Sequence, residues 1–305
     1  LAPALAAGCT CILKPAEQTP LSALRLGELV IDAGFPPGVV NILTGYGEAT
    51  GAALVAHPGI DKIAFTGGTE TGRAVMAAAA KGIKRVTLEL GGKSPNIVFA
   101  DADLDAAVLT AMRASFGHSG QMCTAGSRLL VQREILDQMQ DRLIEATRRV
   151  PVGNGLDGGV TVGPLASAEQ RDRVLSYIEL GVAEGATVAV GGGVPDRPGY
   201  FVEPTLFTGV TNDMRIAREE IFGPVLSVLT FRTPAEALEK ANNTPYGLSA
   251  GVWTEKGSRI LWMAQHLRAG VVWANTFNRF DPSSPFGGYK ESGYGREGGR
   301  HGQAS

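Results

Sequence analysis

Three cysteines in 305 residues are too few for a disulfide scaffold. The odd count leaves at least one thiol unpaired, which points to a reducing, cytoplasmic setting. Positive charge is not in surplus either: 28 Lys and Arg stand against 30 Asp and Glu, a formal net charge of −2, with no basic block. Nucleic-acid and anionic-membrane binding thereby lose their main electrostatic driver. The chain has no run of about 18 apolar residues, so no membrane-spanning helix is expected. A G-x-S-x-G elbow is missing, and with it the usual hydrolase nucleophile. A G-x-x-x-x-G-K-[ST] phosphate loop is also missing. His57, His118, His266 and His301 have neither metal-ligand nor triad spacing, so no metal site is expected.

Glycine is abundant. The chain has 41, nearly twice the average share of about 7%. No Gly-X-Y period accompanies them, which excludes collagen. With 44% hydrophobic residues the chain can bury a large core. The glycines then belong to turns and close backbone approaches in a folded α/β protein.

Residues 1–90 alternate in type. Apolar runs at 9–14, 39–43, 62–66 and 85–90 predict strands, and 48–57 and 69–81 predict helices. Thr19 as N-cap with Pro20 in the first turn opens another helix, which Gly34 closes. Strand–helix–strand units of this length predict a doubly wound parallel sheet whose strands are buried on both faces. Beyond Gly92, strands are predicted at 96–100, 128–132, 225–231, 248–253 and 270–273. Helices are predicted at 101–116, 134–149, 167–184 and 234–242, and up to about Leu267. The last thirty residues read as loop. The boundary near residues 90–92 gives two α/β domains with a cleft between them.

Ligands of open parallel sheets sit beyond the carboxyl ends of the strands. Lys14-Pro15-Ala16-Glu17, Thr44-Gly45-Tyr46-Gly47, Phe65-Thr66-Gly67-Gly68 and Glu89-Leu90-Gly91-Gly92 all fall there. Gly45 to Gly51 nearly matches a dinucleotide fingerprint, with the third glycine one residue late; a plain glycine turn reads equally well. Gly67 to Gly72 is either a pyrophosphate cradle of backbone N–H groups or an ordinary βα turn. Glu89 ends an apolar strand, where burial raises a carboxyl and suits a general base. Cys123, in Gly120-Gln121-Met122-Cys123-Thr124-Ala125-Gly126, reads as a nucleophile at a helix start or as a core cysteine. Cys9 and Cys11 read as core. Trp273, Phe277, Phe280 and Phe286 are core residues or the lining of an apolar tunnel.

These stretches together resemble the aldehyde dehydrogenase superfamily. The resemblance rests on Lys14-Pro15-Ala16-Glu17-Gln18-Thr19-Pro20, Gly34-Phe35-Pro36-Pro37-Gly38, Phe65-Thr66-Gly67 and Leu88-Glu89-Leu90-Gly91-Gly92-Lys93-Ser94-Pro95. It continues through Gly120-Gln121-Met122-Cys123, Glu219-Glu220-Ile221-Phe222-Gly223-Pro224 and Pro285-Phe286-Gly287-Gly288-Tyr289-Lys290. It implies a Rossmann-like parallel-sheet cofactor domain at 1–90, an α/β catalytic domain at 91–291 and a return segment at 292–305. It further implies an NAD(P)-dependent, non-acylating oxidation of an aldehyde to a carboxylic acid in a homodimer or homotetramer. The alternatives are a CoA-acylating relative and an inactive structural homologue.

By resemblance, Cys123 is the nucleophile and Glu89 the base that activates water. Lys14 and Glu17 hold the adenosine ribose, and Glu17 favours NAD over NADP. Gly45, Phe65, Thr66, Gly67, Gly68, Thr71 and Gly72 surround the pyrophosphate loop. Leu90, Gly91, Glu220 and Phe222 meet the nicotinamide half, with Gln170 near it. Phe116, Phe277, Phe280 and Phe286 line the substrate tunnel. Gly68 stands where the family usually has Ser, and Gly117 where many relatives have an aromatic residue. The family's oxyanion Asn, first sheet strand and last strand correspond to segments outside these 305 residues, so the 305-residue piece is expected to be inactive or poorly soluble alone.

Overall fold

The computed structural model describes residues 1–304. They fall into two compact units: residues 1–89 with 281–287 and the segment from Gly293 onward, and residues 90–280 with 288–292. Among the described residues no helix is long and apolar enough to cross a membrane.

In the first unit, β1 (Cys11–Leu13) and β2 (Val40–Ile42) pair in parallel, Cys11 opposite Val40. The helix Leu21–Asp32 connects them and buries none of its residues. Its start departs from expectation. Pro20, with helical backbone angles, occupies the N-cap, and no side chain caps the turn. Thr19 is instead tied back through its N–H to the Ala16 carbonyl at 3.2 Å. Gly34 follows the last turn with φ of 82°, the left-handed cap that glycine adopts without strain. The helix expected at 48–57 begins as a π turn, Gly47–Gly51, before Ala52–Ala56. Cys9 lies outside β1 and is exposed, and Cys11 is only half-buried, so neither is a core residue.

β3 (Lys62–Thr66) and β4 (Arg85–Glu89) are parallel, Thr66 opposite Glu89, and the helix Thr69–Ala80 crosses between them. Gly293–Tyr294 adds to β4 in the antiparallel sense, with Gly293 opposite Glu89. The sheet expected from the sequence is therefore corrected. β1–β2 and β3–β4 share no strand among the described residues. β3 alternates exposed and half-buried positions, so only one of its faces is packed.

The second unit carries a seven-stranded sheet. Its members are β5 (Pro95–Val98), β6 (Arg128–Gln132), β7 (Thr187–Val190), β8 (Thr205–Thr208), β9 (Val225–Phe231), β10 (Ser249–Trp253) and β11 (Val271–Ala274). Their order is β11-β10-β5-β6-β9-β8-β7, parallel except for the antiparallel edge strand β7. Here both faces are packed. Ile97, Leu130, Leu229, Phe231 and Val252 belong to one core; Val98, Leu129, Val131, Val228 and Trp253 belong to the other. Apolar residues directed to both faces of the same strands are what a doubly wound sheet requires. Helices Ala168–Ala183, Pro234–Asn242 and Gly257–His266 supply the first core; Leu104–Phe116 and Leu136–Arg148 supply the second. Side-chain caps fix several starts: Asp103 accepts from the Ala106 N–H, Ser167 from Gln170 and Thr233 from Glu236.

The last thirty residues are not all loop. Tyr289–Lys290 pairs with Tyr246–Gly247, Gly293–Tyr294 joins β4, and Gly299–Ala304 is helical.

Candidate active site

In the first unit, the predicted cofactor residues gather at the carboxyl ends of parallel strands. Beyond β1, Lys14 Nζ donates to Glu17 Oε1 at 3.2 Å and to the Pro15 carbonyl at 2.8 Å. The same Glu17 oxygen accepts from the Gly47 N–H at 2.6 Å, just beyond β2. Hydrogen bonds from its own backbone N–H, from Lys14 and from Gly47 hold the Glu17 carboxyl below the usual glutamate range. Gly45 has φ of 142°, and a Cβ there would collide with the Thr50 side chain. Beyond β3, Phe65 and Thr66 lead into Gly67 and then Gly68, the N-cap of Thr69–Ala80. Gly68 is extended (φ −68°, ψ 150°), and nothing lies within 4 Å of where its Cβ would stand. Thr71 is exposed on the first turn, and Gly72 is buried.

Glu89 ends β4 and is 8% exposed. Its Oε2 has no hydrogen-bond partner. Desolvation first, then repulsion from Glu297, pushes its carboxyl up to about 8, against the pull of Arg296. Arg296 and Glu297 were not singled out in the sequence. Their only signal was a charged pair in a glycine-rich tail, and the two-residue ladder at Gly293–Tyr294 carries the chain toward them. Phe286 belongs to this unit, bridged to Glu297 by two backbone hydrogen bonds of 2.7 Å.

In the second unit, glycines set the geometry around Cys123. A Cβ on Gly91 would collide with the Glu220 carboxylate, and one on Gly92 with the Cys123 carbonyl oxygen. The Gly92 N–H donates to Glu220 Oε1 at 3.0 Å. One dipeptide thus touches both the backbone of the thiol-bearing segment and a carboxylate 128 residues away. A Cβ on Gly120, with φ of 71°, would collide with the Gly223 carbonyl, one residue past Phe222. At Gly92 and Gly120, where the atoms met are backbone, residues of any other type would push the segments apart; at Gly91 the Glu220 side chain would have to move. Cys123 itself is half-buried in a turn. It does not start a helix, as the sequence suggested: Gly117–Gly120 is a short, kinked helical turn, and the chain then runs irregularly into β6. His118 (φ 51°) and Ser119 (φ 57°) are both left-handed, a strained arrangement in non-glycine residues. Ser119 Oγ donates to the Gly163 carbonyl (2.9 Å), and Gln121 Oε1 accepts from the Ala166 N–H (3.0 Å), which over-determine the turn.

Helix Ala168–Ala183 presents Gln170, Arg173 and Tyr177, at helical spacing, to the segment 219–222. Gln170 Nε2 donates to the Ile221 and Phe222 carbonyls (3.0 and 2.8 Å), and Arg173 Nη2 to the Glu220 carbonyl (2.9 Å). Tyr177 donates to Glu219 at 2.7 Å. Phe222 is left-handed, with φ of 60°, and partly exposed. Burial raises the Glu220 carboxyl, opposed by Gly92, Lys93 and Arg173. Leu90 is buried, its N–H bound to the Ser292 carbonyl at 3.0 Å.

Of the other aromatic candidates, Phe116 is packed into the core between the sheet and its helices. Phe277 is buried against Ala114 and Gly126, and its ring centroid lies 4.9 Å from that of Trp273. Phe280, also against Trp273 at 5.4 Å, is 56% exposed. Nothing lies within 4 Å of a Cβ built on Gly117.

Compared with known proteins, residues 1–305 match the model of the aldehyde dehydrogenase family from end to end. The chain belongs to that family. It is 53% identical to retinal dehydrogenase 2 of Mus musculus over 303 residues, which is 99% of this chain and 58% of that protein. Among solved structures, an NAD+ complex of the aldehyde dehydrogenase from Bacillus cereus superposes with a TM-score of 0.97 at 51% identity, covering 99% of this chain and 61% of the other. Betaine aldehyde dehydrogenase from Staphylococcus aureus in complex with NAD+ gives 0.97 at 44% identity, covering 99% and 61%. The chain thus spans about three fifths of the length of these aldehyde dehydrogenases.

Proposed function

We propose that this chain carries the nucleophile, the base and most of the cofactor contacts of an NAD-linked, non-acylating aldehyde dehydrogenase. The observation that carries the reading is Glu89: a buried carboxyl with one oxygen unpartnered, raised to about 8, at the end of a strand. Such a group is poised to exchange a proton near neutral pH. Hydrolysis of an acyl-enzyme needs such a base, and transfer of the acyl group to coenzyme A does not.

The residues fit a dinucleotide. Gly68 leaves open space at the N-terminus of a twelve-residue helix, where backbone N–H groups and the helix dipole favour phosphate. The Glu17 carboxylate suits a ribose 2′-hydroxyl and repels a 2′-phosphate, which favours NAD over NADP. Glu220 and Phe222 serve the nicotinamide half. The chemistry that bound NAD supplies is hydride acceptance, which takes the cysteine adduct from the aldehyde to the acyl level. Cys123 as thiolate attacks the aldehyde carbonyl, forming the sulfur–carbon bond of a thiohemiacetal, with the backbone N–H of Cys123 donating to the oxyanion. Once the adduct is a thioester, ionised Glu89 takes a proton from water. The hydroxide adds to the acyl carbon, the carbon–sulfur bond breaks, and the carboxylic acid leaves.

The test is a panel of aliphatic, aromatic and charged aldehydes, run on the full-length protein, with NADH absorbance and acid product both measured. Open space at Gly117 leads us to expect bulky aldehydes among the substrates. Absence of NADH with every aldehyde, or product formation only when coenzyme A is supplied, overturns the reading. Gly68→Ser gives a narrower check. The site is extended and unobstructed, so serine fits without strain and adds a side-chain cap and a donor to phosphate. The cap is present with and without cofactor, so the one added hydrogen bond decides the effect, and it corresponds to about a threefold lower KM for NAD. An unchanged KM removes Gly68 from the cofactor contacts.

A further inference from the structure

Helix Ala168–Ala183 meets the segment 219–223 along one face. Gln170, Arg173, Val174 and Tyr177 stand three, four and seven residues apart, the spacing that lines up a single face. The approach is close at Gly223, where a Cβ would stand 2.3 Å from a methyl carbon of Val174. The segment needs to be held. Phe222 is left-handed, with φ of 60°. A non-glycine residue keeps that conformation only where its surroundings over-determine it.

The ties converge on Glu219. Tyr177 Oη donates to its Oε2 at 2.7 Å. Arg215 Nε and Nη2 donate to its Oε1 and Oε2 at 2.8 and 2.9 Å, a two-pronged grip. Arg215 is itself anchored: its N–H donates to Glu184 Oε2, and its carbonyl accepts from the Glu219 N–H, both at 2.8 Å. The Arg215 hydrogen bonds first, against burial and with help from Tyr177, hold the Glu219 carboxyl below the usual glutamate range. The Tyr177 side chain also serves the next residue. Its ring is buried and carries the Arg173 guanidinium 5.2 Å from its centroid, and Arg173 Nη2 donates to the Glu220 carbonyl at 2.9 Å. One tyrosine thus ties down both members of the Glu219-Glu220 pair, the first by its hydroxyl and the second through the arginine on its ring.

We propose that Tyr177 and Arg215 are positioning residues for the nicotinamide half of the cofactor: through Glu219 they fix the segment 219–222, so that Glu220 and Phe222 are set before the dinucleotide arrives. The proposal rests on the assignment of Glu220 to the cofactor. A segment held beforehand in its working form spares the complex the cost of ordering it. The effect is selective. Adenosine monophosphate carries only the half of the dinucleotide assigned to Lys14 and Glu17, and it offers Glu220 nothing to grip.

The experiment is calorimetric titration of NADH and of adenosine monophosphate onto the full-length protein and its variants, with steady-state kinetics and a thermal melt alongside. Tyr177→Phe removes the hydroxyl and keeps the ring beneath Arg173. It is expected to bind NADH about fivefold more weakly, the cost of ordering a loosened segment. It binds adenosine monophosphate as before, and KM for NAD rises while KM for the aldehyde does not. Glu219→Gln, which loses the charge that Arg215 grips, gives the same selective loss, and adding Tyr177→Phe to it costs little more. Arg215→Lys keeps a charge without the fork and falls between the unmodified protein and Arg215→Ala. The Glu219 side chain is 37% exposed, so water replaces the lost bonds and the melt moves little. Equal weakening of NADH and adenosine monophosphate marks a general loss of structure and overturns the proposal. Unchanged NADH binding in Tyr177→Phe and Glu219→Gln, while Glu220→Gln weakens it, also overturns the proposal and leaves the assignment of Glu220 standing. No effect of Glu220→Gln on NADH binding overturns both.

Discussion

Replacing Cys123 by alanine is expected to lower aldehyde oxidation by about 10⁴-fold or more, the scale on which loss of a covalent nucleophile is felt. The argument is local. The thiol is half-buried on a turn fixed by bonds that do not involve its side chain: Ser119 to Gly163, Gln121 to Ala166, and the close approaches at Gly92 and Gly120. Alanine keeps the backbone, so the thermal midpoint is expected to move little while turnover disappears. NADH binding persists for the same reason, because the residues assigned to the cofactor are untouched. Cys9 and Cys11 provide the control, being exposed and half-buried and in no disulfide. Their serine variants remain active, and Cys123 is the thiol whose alkylation by iodoacetamide tracks loss of activity. Full dehydrogenase activity in Cys123→Ala would end the nucleophile assignment.

How much of this was legible in the sequence depended on whether the cause was local. β6 and β9 are apolar on both faces, and so are readable as buried strands before any partner is known. Ser167 marked the start of its helix because a capping side chain works within three residues. Thr19 carried the same signal and failed, because Pro20, already at helical backbone angles, occupies the N-cap and leaves Thr19 one residue outside it. β7 and β8 were missed. Each has four residues, and the glycine turn at 191–193 that separates them overshadowed their weak alternation. Gly293–Tyr294 forms a strand only because β4, two hundred residues earlier, offers an edge.

The site divides in the same way. Gly91, Gly92 and Gly120 could be read as close approaches. What they approach, Glu220, the Cys123 carbonyl and Gly223, lies beyond any sequence window in two of the three cases. Lys93 and Arg128 look like surface charges in the sequence and are almost wholly buried in the structure. Gln170 was expected near the cofactor, and its amide nitrogen is spent holding the Ile221 and Phe222 carbonyls.

The second large effect belongs to Glu89. Glu89→Gln is expected to lower steady-state turnover by about 10²–10⁴-fold, the usual worth of a general base. A rapid first burst of NADH persists, because the cysteine still reacts and only deacylation lacks its base. The pH dependence has a definite sign. The ionised carboxylate is the working form and its population grows as pH rises through about 8, so turnover limited by deacylation climbs from pH 6.5 to 9. Glu297→Gln removes the repulsion that helps raise Glu89, and the rising limb moves to lower pH.

Stability runs the other way. An ordinary glutamate in the unfolded chain ionises near 4.5, well below the folded value. Between the two, the folded state holds more protons than the unfolded one, so stability falls as pH rises across that window. The uncharged glutamine escapes this loss. Glu89→Gln should therefore melt above the unmodified protein at pH 8.5 and close to it near pH 4.5. A dead variant that is more stable at alkaline pH separates a base held at the expense of the fold from a buried glutamate that serves the fold. Equal melting temperatures at both pH values, or turnover undiminished in Glu89→Gln, would remove Glu89 from the reaction and reopen the acyl-transfer alternative.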